Sequence, residues 1–372
     1  MKEKSKPKAL LGFDPGRMEP IIRKLSAQCK EAAALAAKAK LPHDTPQFAN
    51  VVMTGMGGSA IGGDLVSACY GDKARVPLVV NRDYSLPGFV DERSLVVCLS
   101  FSGGTEETRM ARALAGKAGA TVIAITGGGE LASETRDGGG AVVRIPTTMP
   151  PEHRGRRIAP RTAVGRLFVP LAVVLGRLGV IPDPSRHVSE TVKLLSKLAR
   201  EWGVSADPAA NLAWGISGEL AGRVPVVYAA SRVMGPVALR WQTQLNENSK
   251  SLAHVHLYPE MNHNEIVGWE DPARLGDGIA VVQLRDREDH KRVALRMDIT
   301  RDLISSRPAS FREVRSQGRC RMARMMSHLY LGDWTSFYLA LRYGTDPTPV
   351  TLITQLKSEL ARHGDVLAGG VD

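Results

Sequence analysis

Two stretches rich in glycine and hydroxyl groups are the strongest chemical signals in the sequence. The first, Gly55-Met56-Gly57-Gly58-Ser59-Ala60-Ile61-Gly62-Gly63-Asp64, follows the apolar run Val51-Val52-Met53 and precedes a helical stretch. Glycines there let the backbone approach an anion closely, and the N–H groups of a helix's first turn are unsatisfied and positively polarised. A phosphate or carboxylate is stabilised at such an end. The plainer reading is a tight strand-to-helix turn with no ligand. The second stretch, Ser100-Phe101-Ser102-Gly103-Gly104-Thr105-Glu106-Glu107-Thr108, alternates hydroxyls with glycines before a helix starting near Thr105. Helix capping by Thr105, with Glu106 and Glu107 complementing the dipole, explains one end of it. Capping leaves Ser100 and Ser102 unexplained, whereas hydroxyls and N–H groups converging on one anion account for all three.

The first stretch also satisfies the dinucleotide pattern G-x-G-x-x-G/A through Gly55, Gly57 and Ala60. The second apolar run, however, ends in Asn81-Arg82-Asp83 without a clear acidic partner for a ribose. One phosphate loop suits a nucleotide and two suit a phosphosugar. A nucleotide-dependent oxidoreductase is therefore the weaker reading, and no cofactor is expected.

Two polar clusters stand in the C-terminal half. In Arg240-Trp241-Gln242-Thr243-Gln244-Leu245-Asn246-Glu247-Asn248-Ser249-Lys250, helical spacing puts Val237, Trp241 and Leu245 on one face and Arg240, Gln244 and Glu247 on another. Taken alone, that second face reads as solvated. Pro259 to Trp269 is denser, with His263 between Asn262 and Asn264, whose amides are able to fix an imidazole tautomer. His254-Val255-His256 with Glu260 has the H-x-H-x-x-x-E spacing by which some cupin isomerases hold a metal, and histidines two apart on a strand share a face. A cupin is an all-β barrel, which this chain is not, so no metal site is expected.

The elements that must position these groups follow an alternating pattern. Apolar runs rich in β-branched residues recur at Val51–Met53, Leu78–Val80, Leu95–Leu99, Thr121–Ile125 and Ala141–Ile145, mostly with helix-length connectors. This describes a parallel sheet covered on both faces. A loop rich in Pro, Gly and Arg (Pro146–Pro160) and helices near Arg161–Gly179 and Ser189–Trp202 come next. The strand pattern restarts at Val224–Tyr228, Leu252–Leu257, Ile279–Leu284 and Phe311–Val314, ending in helices near Arg321–Arg342 and Thr348–Arg362. The expected fold class is α/β, with two lobes, each a parallel sheet flanked by helices. The expected division is an N-terminal tail and one helix (Pro20–Lys38) in 1–45, a first domain in 46–160, connecting helices in 161–210, a second domain in 211–362 and a tail in 363–372.

Composition narrows the partners. Hydrophobic residues at 43% and charged residues at 23% fit a soluble globular chain, and 49 Lys and Arg against 38 acidic residues favour an anionic ligand. The basic clusters, Lys2 to Lys8 and Arg154-Gly155-Arg156-Arg157, lack interleaved aromatics, and residues 1–45 hold no helix-turn-helix, so no nucleic acid is expected. Leu167 to Leu175, between Arg166 and Arg177, is too short to span a bilayer, so no membrane partner is expected. Cys29, Cys69, Cys98 and Cys320 form no C-x-x-C pair, which fits reduced thiols in a cytoplasmic protein.

The Gly-Met-Gly-Gly-Ser-Ala and Ser-Phe-Ser-Gly-Gly-Thr-Glu-Glu-Thr stretches resemble the sugar isomerase domain superfamily. That resemblance implies phosphate ligands at Gly57, Gly58, Ser59, Ser100, Ser102 and Thr105. Adding Gln244-Leu245-Asn246-Glu247-Asn248, Asn262 to Trp269, Arg161 to Phe168, Gly332 to Ala340 and Asp346 to Val350, the chain resembles the bifunctional phosphoglucose/phosphomannose isomerase family from about Val51 to Ala361. The resemblance implies a metal-independent aldose-ketose isomerase acting on glucose 6-phosphate and mannose 6-phosphate, and a homodimer. It makes Glu247 the base that moves a proton between C2 and C1, His263 the group that assists ring opening, Arg161 the stabiliser of the enediol oxygens and Lys357 a polar partner near the ring oxygen, with Thr348 a fainter candidate. The loop before Arg161 is more basic than the family pattern, which leaves open which arginine of 154–161 meets substrate; Arg154, Arg156 and Arg157 read either as adding to substrate attraction or as a solvated charge run. The alternative, a sugar-phosphate sensor without catalysis, has no use for Glu247 beside His263.

Overall fold

The β-branched runs become strands and the stretches between them become helices. A computed structural model describes residues 6–42, 47–148, 158–271 and 276–364. Along the chain, a 3-10 turn at Pro7–Phe13 leads to α1 (Met18–Arg23) and α2 (Leu25–Lys38). There follow β1 (Asn50–Gly55), α3 (Gly57–Tyr70), β2 (Leu78–Asn81), β3 (Ser94–Ser100), α4 (Glu106–Lys117), β4 (Thr121–Thr126), α5 (Gly129–Asp137) and β5 (Ala141–Arg144). Next are α6 (Gly165–Arg177), α7 (Ser185–Trp202), α8 (Leu212–Leu220), β6 (Val224–Ala230), α9 (Ser231–Ser249) and β7 (His254–Tyr258). The chain ends with β8 (Ile279–Arg285), α10 (Lys291–Ile304), β9 (Ser310–Arg315), α11 (Arg321–Arg342) and α12 (Thr351–Arg362). Two compact units result, one from Leu25–Ser189 with Val350–Asp372, the other from Met1–Lys24 with Glu190–Pro349.

The first unit holds a parallel sheet in the order β2-β1-β3-β4-β5. Every residue of β1 and β3 is buried, as a strand covered on both faces requires. Val52, Val96, Cys98, Val122 and Ala124 pack with Ala115 of α4 and Leu131 of α5. Met53 and Val80 project from the opposite face toward α3, where a Cβ on Gly63 would stand 3.2 Å from Met53 and 3.3 Å from Val80. Helices therefore cover both faces.

The second unit repeats the arrangement with one strand fewer, β7-β6-β8-β9, again all parallel. Val226, Tyr228 and Val281 form one face with Tyr258, Met261, Trp269 and, from α10, Met297 and Ile304. Helix α11 is buried from Met322 to Leu341, polar side chains such as Asp333 and Ser336 included, and packs against both α8 and α9. Its tightest contact is at Gly332, where a Cβ would come within 2.7 Å of the Trp241 ring. The Trp241 Nε1 donates to the His328 carbonyl at 2.8 Å, fixing that ring against α11.

The α/β class and the two-sheet layout are as the sequence leads one to expect; several boundaries are not. The single N-terminal helix is two, broken at Lys24, whose N–H reaches back to the Ile21 carbonyl. Arg161 stands not on a helix but on a 3-10 turn, Pro160–Thr162, closed by the Thr162 hydroxyl on the Ala159 carbonyl at 2.7 Å. Helix α8, before β6, has no counterpart in the sequence reading.

Replacing Gly332 with Ala should overpack the α9–α11 contact and cost about 1–3 kcal/mol. The expected result is a lower urea midpoint with an unchanged slope; an unchanged midpoint would refute the contact.

Candidate functional site

The strand order of the first sheet dictates where a ligand fits. From β1 the chain crosses to β2 on one side, and β3 and β4 lie on the other, so the loops leaving β1 and β3 diverge and open a crevice at the carboxyl ends of these strands. The two hydroxyl-rich stretches are these loops. Their strands are hydrogen-bonded neighbours, with Gly55 opposite Leu99. A Cβ on Gly55 would sit 2.8 Å from the Leu99 carbonyl oxygen, so the backbones are too close for a larger residue.

In the first loop Gly57 has φ +48°, in the left-handed region that favours glycine. Met56 occupies the cap position of α3 and makes no side-chain cap, so the helix is not closed off there. Ser59 is buried, and its Oγ accepts from the Phe101 N–H at 3.4 Å, tying this loop to the second. A Cβ on Gly58 would lie 3.7 Å from the Arg161 Cα, so the 3-10 turn carrying the buried Arg161 packs against this same loop.

In the second loop Ser100 is fully buried, 2.8 Å from the Thr105 Oγ1, and accepts from the Gly103 N–H at 3.0 Å. Ser102 is exposed, with its Oγ accepting from the Gly104 N–H at 3.3 Å. Thr105 stands at the cap position of α4 yet makes no cap; its hydroxyl turns to Ser100 instead. The capping role considered for Thr105 is therefore not what its side chain performs. Gly57, Gly58, Ser59, Ser100, Ser102, Thr105 and Arg161 all gather around two adjacent strand ends. Arg154, Arg156 and Arg157 lie outside the described residues.

Glu247 and His263 belong to the second unit. Glu247 is half-buried near the end of α9, and the polar face it shares with Arg240 and Gln244 is not solvated. Arg240 and Gln244 are buried and reach the Asp333 Oδ1 on α11, at 3.4 and 2.5 Å. Burial pushes the Asp333 carboxyl above its ordinary value, against the pull of Arg240 and Gln244. The helix ends at Lys250, whose Nζ donates to the carbonyls of Glu247 at 2.5 Å and Pro349 at 2.8 Å. His263 is exposed on a 3-10 turn, Glu260–His263. The flanking amides do not serve it: Asn262 donates to Thr300 at 2.8 Å, and Asn264 donates to Glu260 at 3.3 Å. The Thr348 N–H donates to Asp346 at 2.9 Å in this unit, whereas Lys357 stands on α12, exposed along its length, in the unit of the phosphate loops.

One cluster is legible in the sequence only in part. His254 and His256 converge on Glu265, not on Glu260, with His254 Nε2 2.8 Å and His256 Nδ1 2.5 Å from the Glu265 Oε2. The Tyr228 hydroxyl donates to the other oxygen, Oε1. Burial works against ionisation of Glu265, but Tyr228 and the two imidazoles outweigh it and hold the carboxyl below its ordinary value. The paired histidines were the available signal. The carboxylate was missed because it arrives through the turn after β7 rather than at a fixed spacing along the strand.

Fold and site together define a sugar isomerase domain protein, with hydroxyl-lined loops at the switch point of a parallel sheet. Residues 207–360 match the family described as bacterial phospho-glucose isomerase C-terminal SIS domain. The chain is 43% identical to the bifunctional phosphoglucose/phosphomannose isomerase of Caldicellulosiruptor bescii over 85% of its length and 90% of that protein. It is 33% identical to the protein of the same name from Aquifex aeolicus, over 86% and 93%. In fold it is similar to a glucose-6-phosphate isomerase like protein from Thermus thermophilus, with TM-score 0.60 and 20% identity over 95% of this chain and 99% of that one. The chain belongs to the bifunctional phosphoglucose/phosphomannose isomerase family. Among the described residues no helix is long and apolar enough to cross a membrane.

Replacing Ser100 with Ala would strip the buried Gly103 N–H and the Thr105 hydroxyl of their partner. A cost of about 1–3 kcal/mol in urea unfolding is expected. Replacing the exposed Ser102 with Ala should stay within about 0.5 kcal/mol; equal losses would contradict the assigned bonding.

Proposed function

We propose that the protein interconverts glucose 6-phosphate, and also mannose 6-phosphate, with fructose 6-phosphate through an enediol. The observation that carries this reading is membership of the isomerase family combined with two hydroxyl-bearing loops at one switch point. The phosphate is held by Ser59, Ser100, Ser102 and Thr105 and by the backbone at Gly57 and Gly58. A helix start left uncapped by Met56 supports this, because its N–H groups favour an anion.

The chemistry then needs a base and an oxyanion partner. A proton α to a carbonyl is weakly acidic, so a carboxylate must take it while a donor or cation stabilises the charge that develops on oxygen. Glu247 takes the C2 proton and returns it to C1, His263 assists ring opening, Arg161 stabilises the enediol oxygens and Lys357 acts near the ring oxygen. The packing of the Arg161 turn against Gly58 supports its nearness to a phosphosugar bound there. Rotation about C2–C3 of the open chain lets one base serve both epimers. The proton balance closes with no metal or redox cofactor.

The remaining parts of the reading follow from this activity and from the family. The enzyme works in sugar-phosphate metabolism, in glycolysis and gluconeogenesis, in the cytoplasm and as a homodimer.

A coupled assay with each sugar phosphate in the presence of a chelator tests the proposal, and turnover of both is expected. Glu247→Gln should lower kcat by about 10²- to 10⁴-fold with KM mostly kept. Near-normal turnover in that variant would remove Glu247 from the base role, and no turnover of either sugar by the wild type would sink the reading.

A further inference from the structure

Strand β7 is an edge strand, and its His254 and His256, two residues apart, project from the same face. With Glu265 from the 3-10 turn Glu265–Trp269, they bring two imidazole nitrogens and one carboxylate oxygen within 4.8 Å of one another. We propose that His254, His256 and Glu265 form a binding site for a divalent transition metal ion of the zinc class. Two histidines and a glutamate are a recurrent zinc donor set, with further positions left to water. Imidazole donors select such ions over magnesium or calcium.

The geometry is close to what an ion requires. The imidazole rings have centroids 6.2 Å apart and planes 82° apart. Two imidazoles on a tetrahedral ion at about 2.1 Å have centroids about 5 Å apart, so side-chain rotation of about an ångström suffices. Without an ion, Glu265 Oε2 takes both imidazoles as hydrogen-bond partners. An ion entering among them replaces these bonds with coordinate bonds, and neither neutral imidazole loses its proton, since each can carry it on the other nitrogen.

An outer layer of contacts orients the carboxylate. Tyr228, paired with His256 across the strands, donates to Oε1 and leaves Oε2 to face the imidazoles. The buried Trp269 donates from Nε1 to the Tyr228 Oη at 3.1 Å, fixing the phenol in turn. Such supporting bonds are what metal-ligating groups require. The side chains of His254, His256 and Glu265 are 54%, 27% and 22% exposed, so an ion can enter from solvent and keep water ligands. Bound there, it would clip the sheet edge to the turn that follows it and stabilise the folded state by mass action. The site stands independently of the isomerase reading, whose chemistry uses no metal.

Calorimetric titration of the chelator-stripped, dialysed full-length protein with zinc chloride is the test. One zinc per chain and a raised Tm are expected. His256→Ala and Glu265→Gln should each weaken binding at least about tenfold, and His263 is left intact throughout. His363→Ala, remote in sequence and exposed, should leave binding unchanged. X-ray absorption of the zinc-loaded wild type should report two imidazoles and no sulfur, a readout that does not depend on the variants folding. Absence of binding, sulfur ligation, or a titration unaltered by His256→Ala would overturn the assignment.

Discussion

The placement of the two hydroxyl-rich loops of the first unit depends on where its sheet reverses its direction of winding. Because β1 and β3 are neighbours while their crossovers diverge, two loop starts lie side by side with nothing of the sheet above them. The residues there answer that constraint. Gly55 permits the close passage of the two backbones, Gly57 accepts the left-handed turn, and Gly103, at φ +81°, occupies a place where a Cβ would fall 1.7 Å from the Gly128 carbonyl. The hydroxyls then do two kinds of service. Ser100 also braces the loop through Thr105 and Gly103, while Ser102 remains at the surface.

In the second unit the governing element is the seam between α9 and α11. A buried carboxylate with its arginine is weak support for stability, because desolvation offsets much of the attraction. What Asp333 provides is register: Arg240 and Gln244, four residues apart on one face of α9, both end on the same oxygen. Asn248, one turn further, donates to Ser336 at 3.0 Å, and Trp241 closes over Gly332. A slip of α9 along α11 would break all four contacts together. Glu247 is therefore carried by a helix that is fixed in both rotation and translation.

Much of this was legible because burial writes a period into the sequence. The strands of the first sheet read as nearly continuous apolar runs, since both faces are covered, and the two glycine- and hydroxyl-rich loops announce themselves by composition. Long-range partners leave no such trace. The face bearing Arg240 and Gln244 looks solvated until α11 supplies Asp333, a partner 89 or more residues away. Likewise Asn262 and Asn264 flank His263 in sequence but spend their amides on Thr300 and Glu260. Spacing along the strand points from His254 and His256 to Glu260, yet the turn after β7 brings Glu265 to them.

The two sheets share a strand order, so topology alone would give each unit an anion site at its switch point, between β1 and β3 in one and between β6 and β8 in the other. The residues decide otherwise. Helix α9 begins at Ser231 directly after β6, leaving no glycine loop. At the end of β8 stands Asp286, whose Oδ2 accepts from Arg324 at 2.8 Å and from Ser316 at 2.6 Å, with Glu288 paired to the same arginine. Those bonds hold the Asp286 carboxyl below its ordinary value against the opposing effect of burial. The two units thus share a strand order but differ at the strand ends: hydroxyls and backbone N–H groups after β1 and β3 in the first, a carboxylate paired with an arginine after β8 in the second.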